Sequence, residues 1–237
     1  MRRRTAAVWF CAALFLSACG NGGASESTGT DPVVDPGREF SFETSDGLNL
    51  EARIWGDGET YVILAHMRPA DMTSWFDFAR LLADEGYTAL AFNFRGYGES
   101  EFDDQAEFSV AEDVRAAIDA ANDAGAAKVF VIGASMGGTG AVVAAASNDI
   151  AGIVTLSAPD VFEEVDAVSW ADDVEAPMLL FAANEDGSAA EDALAISAAS
   201  LQEPEVVVLS GGQHGTNLFA EHNDELTRLI LEFLASA

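Results

Sequence analysis

The first feature of the sequence that suggests chemistry is a serine between glycines. Ser135 lies in "KVFVIGASMGGTGA" (residues 128–141), where an apolar run typical of a strand gives way to small residues that predict a helix. A serine in a Gly-x-Ser-x-Gly turn becomes a nucleophile when a neighbouring base removes its proton. Because this short motif also occurs by chance, a base and an acid have to be sought elsewhere in the chain.

Two later strand ends supply the residue types that such a serine needs. His214, in "LSGGQHGTN", follows the last predicted strand and precedes the final predicted helix. Asp186, in "FAANEDGS", directly follows the preceding strand, and Asp160, in "SAPD", follows an earlier one. A histidine can take the serine proton when a carboxylate orients the ring, so either aspartate is a candidate acid, with Asp186 favoured. His66, at the end of another predicted strand, is expected to be structural and to hydrogen-bond the backbone.

The elements that position these residues alternate along the chain. A hairpin is predicted for residues 39–55, with its turn at Ser45-Asp46-Gly47. Apolar runs then predict strands, and periodic or small-residue runs between them predict helices. The predicted strands are 60–66, 87–94, 128–132, 150–158, 176–183 and 204–211. This alternation predicts an α/β fold, a doubly wound and mostly parallel sheet with helices on both faces, in which ligands bind at the carboxyl ends of the strands.

The motifs together resemble the α/β-hydrolase superfamily. "VILAH", "FNFRGYGES", "GASMGG", "NEDG" and "QHG" follow one another in that family's order, and the resemblance covers the chain from Glu39 to its end. It implies that Ser135 is the nucleophile, His214 the base and Asp186 the acid. It also implies that no cofactor is required.

The resemblance further implies an oxyanion hole made of backbone N–H groups. One donor would be Met136, directly after the serine. The other would come from the loop after "VILAH", where relatives have His-Gly-x and the N–H of x is the donor. Here the sequence is His66-Met67-Arg68, so the resemblance implies Arg68 as the donor, with Met67 as the alternative. Met67 departs from the family's glycine. Arg95, in "FRGYGES", is expected to brace its own loop; contact with an anionic substrate is the alternative.

The expected activity is that of a small esterase or dienelactone hydrolase. The substrate would be a small acyl ester, cleaved through an acyl-enzyme. Acyl transfer, thioester, amide or dienelactone cleavage on the same triad stays open, as does an inactive surface-binding protein. Only about twenty residues separate "IVTLSA" from "APMLLF", which leaves room for one short helix and no large cap domain.

The N-terminus predicts export. Arg2–Arg4 and the apolar segment Ala6–Leu16 are typical of a signal peptide, and the segment is too short to span a bilayer as a helix. "LSAC" resembles a bacterial lipobox, which implies a signal peptide over residues 1–18 and a lipid on Cys19; an ordinary secretory signal is the alternative. We expect a flexible tether over residues 19–38, a hydrolase domain over residues 39–237, and a membrane-anchored protein at the cell surface or in the periplasm.

Composition excludes some classes of partner. The chain has 11 basic and 40 acidic residues, with a net charge of −29, so it offers no basic surface for nucleic-acid phosphates. Such an acidic surface stays soluble at high ionic strength, which suggests a saline habitat. Cys11 would leave with the signal peptide, so no cysteine metal site is expected, and no spacing suggests another metal site.

Overall fold

One mixed sheet organises the part of the chain that the structure, a computed structural model, describes: residues 35–103 and 109–237. The strands of this part are β1 (Arg38–Glu43), β2 (Asn49–Trp55), β3 (Thr60–Ala65), β4 (Thr88–Phe92), β5 (Lys128–Ala134), β6 (Gly152–Leu156), β7 (Val161–Phe162), β8 (Val165–Asp166), β9 (Met178–Ala183) and β10 (Glu205–Leu209). Eight of them form the sheet in the order β1-β2-β4-β3-β5-β6-β9-β10, and β7 pairs with β8 separately.

Six neighbouring strands of this sheet run parallel. They extend from β4 to β10, while β1 and β2 form the antiparallel hairpin that the sequence predicts, and β2 pairs antiparallel with β4. All five residues of β4 and of β6 are buried, and so are all six of β9. Continuous apolar runs form such strands because both faces of the sheet are covered.

Helices cover both faces of the sheet. They are α1 (Phe76–Asp84), α2 (Val110–Asp123), α3 (Met136–Ala145), α4 (Ala189–Ala199) and α5 (Phe219–Ser236), with 3₁₀ turns at Met72–Trp75, Val168–Trp170 and Gly215–Leu218. Most buried apolar residues of α2, α3 and α4 belong to one apolar cluster, and those of α1 and α5 belong to another.

Strand β5 shows how the sequence creates two faces. Val129 and Val131 pack in the first cluster, whereas Phe130 and Ile132 pack in the second. Successive side chains of a strand point to opposite faces, so one apolar run serves both cores. The sheet is therefore doubly wound, and the predicted fold class is confirmed.

The segment between β6 and β9 differs from the expectation of one short helix. It contains the hairpin of β7 and β8 and the 3₁₀ turn at Val168–Trp170. Two-residue strands are too short to show alternation in the sequence, which is why the hairpin was not predicted. The segment is small, and in the described residues no cap domain is inserted between these strands.

The predicted signal peptide, Cys19 and most of the predicted tether lie outside the described residues. The compact unit that contains the sheet begins at Asp35. Within residues 35–103 and 109–237, none of the helices has the length and apolar character needed to cross a bilayer.

A buried ion-pair network braces the loop after β4, as expected for Arg95. Its guanidinium is 2.7 Å from Asp113 Oδ1 on α2 and 2.8 Å from Asp46 Oδ2 in the β1–β2 turn. The Arg95 side chain is 1% exposed and that of Asp113 is fully buried. Asp113 Oδ2 also accepts the Arg95 backbone N–H at 2.9 Å. Burial raises the pKa of Asp113, and the hydrogen bonds and charge of Arg95 oppose that rise.

Replacing Arg95 with methionine is expected to destabilise the fold by about 3–5 kcal/mol, because it leaves the Asp113 carboxylate buried without its counter-ion. Arg228→Met is the matched control, since the Arg228–Glu232 pair is more than half exposed and its loss is expected to cost less than about 1 kcal/mol. Urea denaturation of the wild-type protein and both variants measures the two free energies. Equal losses in the two variants would contradict this account of the network.

Candidate active site

Ser135 lies on a strained turn between β5 and α3. Its backbone φ of 49° and ψ of −119° fall in a region that residues with a side chain rarely adopt. The surrounding structure holds this conformation: the Ser135 N–H donates to the Leu156 carbonyl at 2.8 Å, and its carbonyl accepts the Gly138 N–H at 2.8 Å. The geometry is that of a nucleophile elbow, in which a strand turns sharply into a helix.

Two glycines permit the close packing of this turn. A Cβ added to Gly133 would lie 2.3 Å from the Gly137 carbonyl oxygen, and one added to Gly137 would lie 2.5 Å from the Ala65 carbonyl oxygen. Both distances are far inside van der Waals contact. The glycines of the motif therefore bring the start of α3 against the end of β3, where the predicted oxyanion loop begins.

His214 and Asp186 form a direct pair beside this edge of the sheet. The His214 ring nitrogen Nδ1 lies 2.8 Å from Asp186 Oδ2 and 3.0 Å from Oδ1. The Asp186 side chain is 13% exposed and that of His214 is 40% exposed, so the ring stays accessible while its partner is largely covered. In the described residues Asp160 makes no hydrogen bond to His214. Of the two aspartates left open by the sequence, the structure brings Asp186 to the ring.

The residues next to Ser135 and His214 pack against each other. A Cβ built on Gly215, which follows His214, would lie 3.4 Å from the Cβ of Ala134, which precedes Ser135. The two loops therefore meet above the carboxyl ends of the strands. Among the described contacts no hydrogen bond joins the Ser135 hydroxyl to the His214 ring. Catalytic hydrogen bonds commonly tighten only when a substrate is present.

The predicted oxyanion donors belong to two segments that follow neighbouring strands. Met136 is the first residue of α3, and the first N–H groups of a helix have no partner within the helix and carry its partial positive charge. Met67 and Arg68 follow β3, which pairs with β5 along its length. The structure thus places both predicted donor segments at the carboxyl end of adjacent strands.

His66 fixes the backbone of the β3 loop. Its Nδ1 lies 2.9 Å from the Met67 carbonyl oxygen, and its Nε2 accepts the Phe94 N–H at 3.2 Å. These two partners require a neutral ring that carries its proton on Nδ1. Because the C=O and N–H of a trans peptide point in opposite directions, this bond turns the Arg68 N–H away from the His66 ring.

The His66 ring is fully buried between the rings of Phe94 and Tyr97, with centroid distances of 4.9 and 4.8 Å. This burial lowers the pKa of His66 to about 4, although the hydrogen bond to Met67 acts in the opposite direction. The structure confirms the prediction that His66 is a structural residue bonded to the backbone.

The titration of His66 predicts a specific loss of stability in acid. Between pH 6.5 and pH 4 the unfolded chain binds a proton at this residue and the native protein does not, so the free energy of unfolding falls as the pH is lowered. The shift to about 4 corresponds to about 3 kcal/mol over this window. Urea denaturation at pH 7, 5.5 and 4 should show this extra decline in the wild-type protein and not in His66→Gln. Parallel pH profiles would contradict the assignment.

The side chain of Arg68 joins the oxyanion loop to the β7–β8 hairpin. Its guanidinium lies 2.9 Å from Glu163 Oε1 and 4.9 Å from the centre of the Phe162 ring. The sequence does not predict this contact, because Phe162 and Glu163 lie more than ninety residues away and show no pattern that links them to the loop. The hairpin thus forms a wall beside the predicted oxyanion hole.

The described residues contain no group of three or more His, Cys, Asp or Glu side chains arranged to hold a metal ion. The polar side chains that the structure places at this edge of the sheet include those of Ser135, His214 and Asp186.

Comparisons with known proteins match this chain to proteins of one fold. A family model described as the alpha/beta hydrolase fold matches residues 60–170, which include the Ser135 turn. An esterase from Pyrococcus furiosus superposes with a TM-score of 0.70 at 16% identity, covering 84% of this chain and 90% of that chain. An esterase from Exiguobacterium antarcticum gives 0.71 at 13% identity, with 84% and 100% covered.

A hydrolase from Pseudomonas aeruginosa PA01 gives a TM-score of 0.73 at 16% identity, and the match covers 85% of this chain and 100% of that chain. A search of curated proteins gave no match. At these identities the likeness to solved structures concerns the fold. The resemblance to the α/β-hydrolase superfamily is confirmed, and the chain has the α/β-hydrolase fold.

Proposed function

We propose that the protein is a serine hydrolase that cleaves small carboxylic esters through an acyl-enzyme on Ser135. The observation that carries the proposal is the 2.8 Å contact between His214 Nδ1 and Asp186 Oδ2, beside a serine on a strained turn. A carboxylate on one ring nitrogen leaves the other nitrogen free to take a proton, which is the arrangement a serine nucleophile needs. Two of the structural neighbours are esterases, which supports the same reaction class.

The reaction proceeds in two halves. Ser135 Oγ attacks the ester carbonyl carbon while His214 Nε2 takes the hydroxyl proton, and Asp186 stabilises the imidazolium that forms. The tetrahedral intermediate collapses when His214 gives this proton to the departing alcohol oxygen. Water then attacks the acyl-enzyme, His214 takes one of its protons, and the acid leaves as that proton returns to Ser135.

Backbone N–H groups stabilise the negative charge on the former carbonyl oxygen. We assign one donor to Met136, at the positive end of α3, and the other to Arg68, with Met67 as the alternative. Fixed donors of this kind cost no reorganisation during the reaction and are worth several kcal/mol in the transition state.

The small segment between β6 and β9 leaves the site open, and the 40% exposure of His214 agrees with that. An open site fits small acyl esters that do not depend on a lid. The net charge of −29 disfavours polyanionic substrates.

Hydrolysis of p-nitrophenyl esters of increasing acyl length tests the proposal. The expected result is turnover of short-chain esters, with water as acceptor. Faster release of p-nitrophenol on addition of alcohols or amines, with new esters or amides formed, would instead favour an acyltransferase on the same triad. No turnover of esters, thioesters or amides, together with no reaction with a fluorophosphonate, would favour a surface-binding protein.

We also propose that Cys19 carries a lipid anchor after removal of residues 1–18, so that the protein is exported and held at a bilayer. The support is the lipobox-like "LSAC" behind a basic and apolar N-terminus. Cys19→Ser should shift the protein from the membrane fraction to the soluble fraction; retention of that variant in membranes would contradict the anchor.

A further inference from the structure

The Met67 side chain touches the loop that carries His214. Its sulfur accepts a hydrogen bond from the Thr216 hydroxyl at 3.7 Å. A Cβ added to Gly215 would lie 2.6 Å from the Met67 sulfur and 3.5 Å from the Met67 Cβ. The sulfur therefore occupies the space beside Gly215, whose φ of 56° also favours glycine at that position.

This contact joins three functional segments. Gly215 follows His214, it packs against Ala134, and Ala134 precedes Ser135. Met67 itself belongs to the loop of the candidate oxyanion donors, and its carbonyl is fixed by His66. Met67 as a whole residue is 8% exposed, so this packing lies beneath the surface of the site.

We propose that Met67 is a positioning residue that couples the oxyanion loop to the His214 loop. The inference rests on the function proposed above. Its side chain sets the distance between the His214 loop and the Ser135 turn. It also holds the peptides of the oxyanion loop against both. Truncating it leaves a void beside Gly215, into which the His214 loop can move. A displacement of about 1 Å at a catalytic group lowers a rate by about 100-fold.

The test is a set of variants with kcat expressed per active site, titrated with a fluorophosphonate so that unfolded protein is not counted. Met67→Ala is expected to lower kcat about 10- to 100-fold with KM changed less than about threefold. Met67→Leu, which conserves volume, should recover kcat to within about threefold of the wild type. Met178→Ala is the matched control: Met178 is also buried, but it begins β9 at the opposite end of the sheet, so its truncation should leave kcat unchanged.

A double-mutant cycle isolates the contact. Gly215→Ala in the wild type brings its Cβ against the Met67 sulfur, whereas in Met67→Ala that space is free; the backbone strain is the same in both backgrounds and cancels. The kcat loss caused by Gly215→Ala should therefore be at least about tenfold larger in the wild-type background. If the Met67→Ala variant fails to fold, Met67→Val replaces it in the same double-mutant cycle.

Additive losses in the cycle, or a Met67→Ala kcat within about twofold of the wild type, would overturn the inference and leave the proposed function standing. A wild-type protein inert towards esters and the fluorophosphonate would overturn both together. A loss of kcat in Met178→Ala as large as that in Met67→Ala would also overturn the inference. Truncation of any buried methionine would then lower kcat, whether or not it contacts the His214 loop.

Discussion

Ser135→Ala is expected to lower kcat for ester hydrolysis by about 10⁴- to 10⁶-fold. The substitution removes the proposed nucleophile and leaves the proposed oxyanion donors in place, so only their residual rate enhancement over water should remain. The fold should be retained because alanine is smaller than serine and the strained turn is held by backbone hydrogen bonds to Leu156 and Gly138. Initial rates with a short-chain p-nitrophenyl ester measure the loss.

Ser157→Ala is the matched control, because it removes the same hydroxyl group from a serine on the neighbouring strand end. Ser157 follows β6, the strand beside β5, and it too has a positive φ, of 52°. Its hydroxyl is buried and has no hydrogen-bond partner in the described residues. Ser157→Ala should keep kcat within about threefold of the wild type. A Ser135→Ala variant that keeps more than about 1% of the wild-type rate, or a comparable loss in Ser157→Ala, would contradict the role of Ser135.

Asp186→Asn is expected to lower kcat by about 10³- to 10⁴-fold with little change in KM. The amide keeps the shape of the carboxylate but loses the charge that balances the His214 imidazolium, and its NH₂ group can favour the tautomer with the proton on the wrong nitrogen. The carboxylate accepts from His214 Nδ1 with both oxygens, at 2.8 and 3.0 Å, so the ring orientation depends on this residue.

Asp160→Asn is the matched control, because Asp160 was the other acid that the sequence allowed. Its side chain makes no hydrogen bond to His214 in the described part of the chain, so kcat should stay within about threefold of the wild type. A larger loss of kcat in Asp160→Asn than in Asp186→Asn would contradict this account and identify Asp160 as the acid.

Much of the site follows from local sequence because strand ends position it. Apolar runs show where β5, β9 and β10 lie, and parallel strands bring their carboxyl ends to one edge of the sheet. Ser135 follows β5 directly, and Asp186 and His214 lie in the short loops after β9 and β10. Their convergence therefore depends on features that a single sequence displays.

Other features depend on contacts between distant segments and could not be predicted. The partners of Arg95 lie in the β1–β2 turn and on α2, and nothing in their local sequence marks them as a network. The packing of Met67 on Gly215 and Thr216 joins residues almost 150 positions apart. Such contacts arise from the fit of packed surfaces, which residue type and spacing alone do not specify.

The most direct test of the account is to locate the residue that a fluorophosphonate modifies. The folded wild-type protein is treated with the reagent, digested and mapped by tandem mass spectrometry. The account predicts one phosphonyl adduct, on Ser135, formed at least about 100-fold more slowly in Asp186→Asn. An adduct on a different residue, or no adduct on folded protein, would contradict it.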